Sequence, residues 1–194
     1  MNIIEINIVD DILKSRFALH EFGKPVQKLI NEKIAEVNSS SLFVLNLKRA
    51  NPMDYEFVII SFTEIINAYK NNSNVFIVFK VESGEFDELC TGLIDILNLQ
   101  VTNGQDEANI LRQNGFSMIY ITENGETNYL SNLSEIQISV LTEIENNDDI
   151  DSDKIQTKFS LKAEEISGIL DDLVEKKFVI RTEDYRYKSI KSFI

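Results

Sequence analysis

Residues 42–47, with the sequence LFVLNL, form a short and almost continuous apolar run. Such a run is typical of a strand that is covered on both faces, so we expect it to lie near the centre of a sheet. A second run of this kind, VFIVF, occupies residues 75–79. Between the two runs, apolar residues from Tyr55 to Tyr69 recur at helical spacing, which predicts an amphipathic helix. Strands that alternate with helices of this length indicate an α/β layered domain.

The same alternation extends along the chain in both directions from these runs. The further predicted elements are a half-buried strand over residues 3–9, a helix that begins at Pro25, a helix over 86–97, a short helix near 107–113, and a last strand over 117–121. Together they predict a mixed sheet packed with helices. This first module is assigned to residues 1–124.

A different pattern begins after a polar and turn-rich link at residues 123–126. Three helical stripes are followed by two short runs, 178–181 and 185–188, which enclose a polar tip and so predict a hairpin. Three helices followed by a two-stranded wing are typical of a winged helix-turn-helix domain. We therefore predict a winged-helix domain over residues 130–194.

The composition restricts the compartment and the partners. The chain has 194 residues and a formal net charge of -13, from 19 Lys and Arg against 32 Asp and Glu. Because nucleic acids and anionic membranes both attract basic residues, this balance opposes binding to either one unless a local basic patch exists. The single cysteine, Cys90, cannot form an internal disulfide, and no apolar run is long enough to cross a bilayer. These features predict a cytoplasmic protein with no membrane association.

The sequence offers little for catalysis or for metal binding. His20 is the one histidine, and no G-x-S-x-G nucleophile motif accompanies it. One histidine and one cysteine do not supply the paired ligands of a structural zinc site. Neither of the Gly-rich phosphate-binding motifs, G-x-G-x-x-G and G-x-x-x-x-G-K, is present. We therefore predict a protein that is not an enzyme and that carries no cofactor and no metal.

Short motifs of the first module resemble a known family. SRF at residues 15–17 and GKPV at residues 23–26, which opens a helix, are similar to the opening segment of the STAS-like family, the anti-sigma-factor-antagonist fold of bacterial regulatory proteins. YEFVIISFTEII at residues 55–66 is similar to the turn by which that family enters a helix through a Ser-Phe pair and an acidic residue. The resemblance covers residues 14–82. It implies a module that acts by docking onto another protein.

The chain departs from this family at three places. Asn46-Leu47 ends a strand where the family often has Asp-Phe, and the connection over residues 48–53 is longer than usual. In classical relatives a kinase phosphorylates a Ser at the start of the second helix. Ile60 occupies that place here and Ser61 follows it. The resemblance therefore implies docking and gives no support to phosphoregulation.

The candidate docking surface lies at the loop before the second helix and at the start of that helix. The aliphatic flank of the helix would supply contact area, and the polar groups would set specificity. An ordinary loop followed by a helix cap would give the same pattern, so both interpretations stay open. The candidate partner-binding residues are Asn51, Asp54, Glu56, Ser61 and Glu64.

The charges of the winged-helix segment bear on whether it binds DNA. The second helix of the helix-turn-helix, residues 162–177, carries five acidic residues against three lysines. Glu164 and Glu165 lie in its N-terminal turns, which would approach DNA. The wing differs, because its bases outnumber Glu183 and Asp184. The candidate residues for contact with a DNA backbone are Arg181, Arg186, Lys188 and Lys191.

The leading hypothesis is a regulatory adaptor that acts through protein contacts. In this hypothesis the first module docks on a protein partner, such as an ATPase or a kinase, and the winged helix provides a second protein surface or a dimerisation surface, so a homodimer stays open. The alternative is a DNA-binding transcriptional regulator that places the wing bases on phosphates. The acidic excess favours protein contact.

Overall fold

A computed structural model of the protein describes residues 1–9, 20–50, 53–100, 105–147 and 149–194. The chain divides into two compact units, Met1–Leu130 and Ser131–Ile194. The described ranges contain seven α-helices and, in the first unit, a mostly parallel five-stranded sheet, so the predicted mixed α/β class is confirmed. None of these helices is long and apolar enough to span a bilayer.

The first unit alternates strands with helices. Its strands are β1 (Asn2–Asn7), β2 (Ser41–Asn46), β3 (Val75–Lys80), β4 (Met118–Ile121) and β5 (Thr127–Leu130). Its helices are α1 (Gly23–Ala35), α2 (Tyr55–Asn71), α3 (Ser83–Ile96) and α4 (Glu107–Gln113). The two apolar runs that define the predicted fold form β2 and β3, and the helical stripe between them forms α2.

The strands of this sheet lie in chain order, β1-β2-β3-β4-β5. The first four strands are parallel, and β5 runs antiparallel to β4. Because crossovers between parallel strands are right-handed, adding each strand on the same side of the last one places every connecting helix on one face. The core agrees, since α1, α2, α3 and α4 pack with strand residues of one side, such as Phe43, Ile77 and Met118.

The strand register explains the apolar runs of the central strands. Ile6, Leu45 and Phe79 are aligned across β1, β2 and β3, on the side that the helices cover. Val44 and Val78 lie on the other side, and each of them is at most 3% exposed. Since both faces of β2 and β3 are buried, apolar residues occupy successive positions and not alternate ones.

Strand β5 was not expected from the sequence. Residues 117–121 were predicted as the last strand and residues 123–126 as a link between modules, but the latter form the turn of a β4-β5 hairpin. The N–H of Gly125 donates to the carbonyl of Thr122 at 3.0 Å, and Gly125 has a φ of 81°, a conformation that glycine adopts without strain. Leu130 of β5 is fully buried.

The second unit contains three helices and a small antiparallel sheet. Its elements are α5 (Glu135–Asn146), β6 (Ile150–Asp151), α6 (Ser152–Phe159), α7 (Ala163–Glu175), β7 (Val179–Arg181) and β8 (Arg186–Ser189), and the strand order is β6-β8-β7. The predicted hairpin is formed by β7 and β8. Leu170, Leu173 and Phe178 are fully buried and anchor the core of this unit.

Polar side chains fix the starts of two helices in this unit. A capping box starts α5, since the N–H of Ser134 donates to Gln137 Oε1 at 2.8 Å and the N–H of Gln137 donates to Ser134 Oγ at 3.4 Å. Asp151 caps α6, because Asp151 Oδ1 accepts from the N–H of Lys154 at 2.8 Å.

Candidate partner-binding surfaces

Two of the predicted docking residues, Asp54 and Glu56, lie at the start of α2. Asn51 lies outside the described residues. Asp54 caps α2, because its Oδ1 accepts from the N–H of Phe57 at 2.6 Å and its Oδ2 accepts from the N–H of His20 at 3.0 Å. Both carboxylate oxygens of Asp54 therefore accept hydrogen bonds from the backbone of the first unit. Glu56, in the first turn of α2, is exposed.

Ser61 was predicted as part of the docking surface, but it is not exposed. Its side chain is fully buried, and its Oγ has no hydrogen-bond partner among the described residues. It faces α1, where Gly23 permits a close approach of the two helices, since a Cβ on Gly23 would lie 2.7 Å from Ile60 and 3.6 Å from Ser61 Oγ. The sequence alone does not show which helix covers this side of α2, so a buried Ser was predicted to lie on the surface.

Glu64 is exposed and lies at a groove between α1 and α2. The groove encloses about 500 Å³, and its lining combines apolar with amide side chains: Asn31, Ile34, Ala35, Glu64, Asn67, Ala68 and Asn72. Glu64 lies eight positions after Glu56, which corresponds to about 12 Å along a helix. The predicted docking residues thus do not form one continuous polar patch.

A pocket that the sequence interpretation missed lies at the carboxyl ends of β3 and β4. It encloses about 330 Å³, within the usual range for ligand pockets, and it is called the acidic pocket below. Its lining residues are Val81, Glu82, Phe86, Asp87, Tyr120, Thr122, Glu123, Asn124 and Glu126. Parallel strands of α/β sheets commonly present ligand sites at this edge.

An aromatic pair forms one wall of the acidic pocket. The rings of Phe86, on α3, and Tyr120, on β4, are stacked with centroids 4.5 Å apart and an interplanar angle of 30°. Both side chains are partly exposed. Burial raises the pKa of the Tyr120 hydroxyl, so this residue is neutral at neutral pH, as tyrosine ordinarily is.

Glu85 adjoins the acidic pocket and is almost completely buried, with 1% exposure. Its Oε2 accepts from the N–H of Glu82 at 3.0 Å, whereas its Oε1 has no hydrogen-bond partner among the described residues. Burial raises the pKa of the Glu85 carboxyl, and the negative charges of Glu82 and Glu123 raise it further, although hydrogen bonds from the backbone oppose the shift. An acceptor without a donor thus lies beside two lining residues of the pocket.

The basic residues predicted for DNA contact in the second unit are engaged in contacts within that unit. Three of them pair with acidic residues: Arg181 with Asp171, Arg186 with Asp149 (Nε to Oδ2, 3.5 Å), and Lys191 with Glu145 (Nζ to Oε2, 3.4 Å). Lys188 lies with its Nζ 6.0 Å from the ring centroid of Phe193. These acids lie on α5, on α7 and before β6, so the surrounding scaffold offsets much of the wing charge.

The remaining chemistry-bearing residues show no catalytic arrangement. Burial raises the pKa of the Cys90 thiol to about 12, so the thiolate needed for a nucleophile is scarce at neutral pH. His20 is largely exposed, and its Nδ1 lies 3.6 Å from Asp54 Oδ2. Within the part of the chain that the structure describes, no group of three or more His, Cys, Asp and Glu side chains is arranged to hold a metal ion.

Comparison with known proteins assigns no family to the chain. No family model matches the sequence, and no curated protein matches it significantly.

Proposed function

We propose that this chain is a non-enzymatic, cytoplasmic regulatory adaptor, which binds protein partners through a STAS-like first unit and a winged-helix second unit. The observation that carries the proposal is the engagement of Arg181, Arg186, Lys188 and Lys191 within their own unit. A surface that neutralises its bases internally has little charge left for phosphates.

The charge of each unit supports protein contact over DNA. Residues 131–194 carry nine Lys and Arg against 14 Asp and Glu, a formal charge of -5, and residues 1–130 carry ten against 18, a formal charge of -8. Neither unit is basic as a whole. A duplex would therefore meet net repulsion from both.

The architecture supports the two proposed domain types. The first unit packs helices on a sheet that is mixed, because β5 runs antiparallel to β4. This arrangement is in line with the fold that the STAS resemblance implies. The order α5-β6-α6-α7-β7-β8 with the strand order β6-β8-β7 agrees with a winged helix, in which α6 and α7 form the helix-turn-helix. Ser160, with a φ of 53°, ends α6 at the turn between them.

The same architecture also favours the alternative function, a DNA-binding transcriptional regulator. In that case α7 would enter the major groove and the wing would touch the backbone. The two functions differ in measurable affinity. A specific regulator binds its site about 10³-fold or more tighter than other DNA at physiological salt, whereas the adaptor binds DNA weakly and without sequence preference.

An electrophoretic mobility shift assay at low and at physiological salt tests the proposal with four carboxylates changed together. Glu164→Gln, Glu165→Gln, Asp171→Asn and Asp172→Asn should raise DNA affinity, because they remove repulsion and release Arg181 and Lys176 from their ion pairs. The matched control changes four exposed carboxylates of the first unit: Glu21, Glu32, Glu36 and Asp95. An equal rise in both variants would show that net charge alone governs binding.

Affinity purification from the native host, read by mass spectrometry, tests the positive half of the proposal. The bait is the full chain, with Glu56→Lys and Glu64→Lys as variants at the two exposed docking residues. We expect a specific protein, such as an ATPase or a kinase, to be recovered with the wild-type bait. At least one of the two variants should fail to recover it. Recovery of nucleic acid in place of such a protein would favour the alternative.

A further inference from the structure

The lining of the acidic pocket concentrates negative charge. Its nine lining residues, all in the described part of the chain, comprise four carboxylates and no Lys or Arg: Glu82, Asp87, Glu123 and Glu126 are the four. Two bases lie nearby. Lys48 Nζ lies 3.4 Å from the carbonyl oxygen of Glu123, and the charge of Arg112 lowers the pKa of Tyr120. Four carboxylates around one concave space attract a cation.

Glu85 lies next to the acidic pocket, although it is not one of the lining residues. A buried carboxylate oxygen normally has a hydrogen-bond donor, because a buried acceptor without one is destabilising. Glu85 Oε1 has no donor among the described residues, and its carboxyl group is held against the backbone of Glu82, a lining residue. This unsatisfied acceptor beside Glu82 adds to the negative potential around the pocket.

The start of α3 makes an anion an unsuitable occupant. The N-terminus of a helix attracts anions through its unpaired N–H groups and the helix dipole. Here a capping box already occupies that position, because the Glu82 side chain accepts from the N–H of Glu85 and the Glu85 side chain accepts from the N–H of Glu82. A phosphate or carboxylate ligand would also meet repulsion from the lining carboxylates.

The aromatic wall selects among cations. A compact metal ion gains little from stacked rings, and the metal-ion geometry is absent from the described residues. A guanidinium group is planar, stacks on aromatic faces, and presents five N–H donors that match carboxylate oxygens. The Phe86–Tyr120 pair and the surrounding carboxylates supply both kinds of contact.

We propose that the acidic pocket binds a guanidinium group, which is carried either by an arginine side chain of a peptide segment or by a small arginine-like amine. The group packs against the exposed side of the Phe86–Tyr120 pair and donates to carboxylates of the lining. This site lies in the first unit and is separate from the wing contacts that carry the proposed function.

Isothermal titration calorimetry on the full chain tests the site with four probes. The probes are agmatine, a capped alanine peptide that contains one arginine, the same peptide with citrulline at that position, and the same peptide with lysine. Citrulline keeps the shape of arginine and removes its charge. We expect the arginine peptide or agmatine to bind about tenfold or more tightly than the citrulline peptide, since charge-assisted hydrogen bonds are about twice as strong as neutral ones.

The four probes also identify the source of the guanidinium. Binding of the arginine peptide alone indicates a protein segment, and binding of agmatine alone indicates a small molecule. Both outcomes support the site. Equal binding of the arginine and citrulline peptides, equal binding of the lysine peptide, or no binding of arginine peptide and agmatine would overturn the proposal.

Variants of the pocket locate the binding. Glu123→Gln with Glu126→Gln removes two exposed lining charges in a turn, so this double variant should fold normally and weaken binding about tenfold or more. The matched control, Glu32→Gln with Glu36→Gln, changes two exposed carboxylates on and after α1 and should leave binding unchanged. Phe86→Leu keeps an apolar wall and should weaken binding about two- to fivefold. Unchanged affinity in the Glu123 and Glu126 double variant would also overturn the proposal.

Discussion

Arg181 of β7 donates to the carboxylate of Asp171 on α7, and its guanidinium carbon lies 5.5 Å from the ring centroid of Tyr187 on β8. One wing base is therefore tied both to the preceding helix and to the partner strand. The contact places an acid of the predicted recognition helix directly against a base of the wing. The separate charge counts of the two elements, which the sequence provides, do not show this pairing.

The Arg181–Asp171 pair should contribute little to stability, because the side chains are 38% and 58% exposed. Exposed ion pairs contribute about 0.2–1 kcal/mol, and salt weakens them. A double-mutant cycle of Arg181→Met and Asp171→Asn, measured by urea unfolding, should give a coupling free energy in this range. A coupling of several kcal/mol would mean that the pair is shielded from solvent in solution.

Two glycines in helices should respond to alanine in opposite directions. A Cβ on Gly92 of α3 would lie 2.5 Å from Val58 of α2, so Gly92→Ala should lower the free energy of unfolding by about 1–3 kcal/mol. Gly168 of α7 has nothing within 4 Å of such a Cβ, so Gly168→Ala should raise it by about 0.5–1 kcal/mol. Chemical denaturation of both variants checks the pair. Destabilisation by Gly168→Ala would contradict the open surroundings of that helix position.

Glu85 should make stability fall as pH rises. Its pKa is raised in the folded chain, so between the ordinary glutamate pKa and the raised one the folded state binds more protons than the unfolded state. The free energy of unfolding therefore decreases with pH across that window. Glu85→Gln should remove this decrease, because Gln keeps an oxygen for the N–H of Glu82 and carries no charge.

The measurement is urea unfolding of wild type and Glu85→Gln at several pH values, with Glu64→Gln as a control that removes an exposed carboxylate. As pH rises, the free energy of unfolding of the wild type should fall relative to that of Glu85→Gln. A difference that does not change with pH would contradict the raised pKa.

The first unit should need β5 for full stability. A fragment of residues 1–132 retains the four-residue pairing of β5 with β4 and the fully buried Leu130, whereas a fragment of residues 1–126 loses both. We expect both a lower urea midpoint and broader amide signals for the shorter fragment. Equal midpoints would show that β5 is dispensable and that the unit ends earlier.

Asp54 should act as a helix cap. Asp54→Ala should lower the free energy of unfolding by about 0.5–2 kcal/mol, while Asp54→Ser, which keeps a capping oxygen, should recover most of that loss. Differential scanning fluorimetry compares the three proteins. If both variants lose partner binding and keep wild-type stability, the docking interpretation of Asp54 is correct instead.

The sequence predicted the central elements well, for a physical reason. β2, β3 and α2 are long, apolar and periodic, so local composition and core burial favour the same structure. β5, with the sequence TNYL, is short and mostly polar. It owes its strand conformation to hairpin pairing with β4, which a local pattern does not reveal.

The candidate sites were harder to predict because they depend on contacts between distant segments. The acidic pocket joins residues 81–87 to residues 120–126, and only the adjacency of β3 and β4 brings them together. A usable signal existed nonetheless, since Glu82 and Glu123 each follow closely after a predicted strand. Ser61 shows the converse, because its burial depends on α1, which packs on α2 through Gly23.

The chain order of the strands in the first unit has a consequence for synthesis on the ribosome. Each parallel strand pairs with the strand made immediately before it, so no early strand has to wait for a distant later one. Such nearest-neighbour pairing lowers the loop-closure entropy of each step and shortens the time for which a sheet edge is exposed to other chains. The nascent chain can therefore add one βα unit at a time to a growing sheet, and the antiparallel β5 closes the last open edge once β4 has emerged.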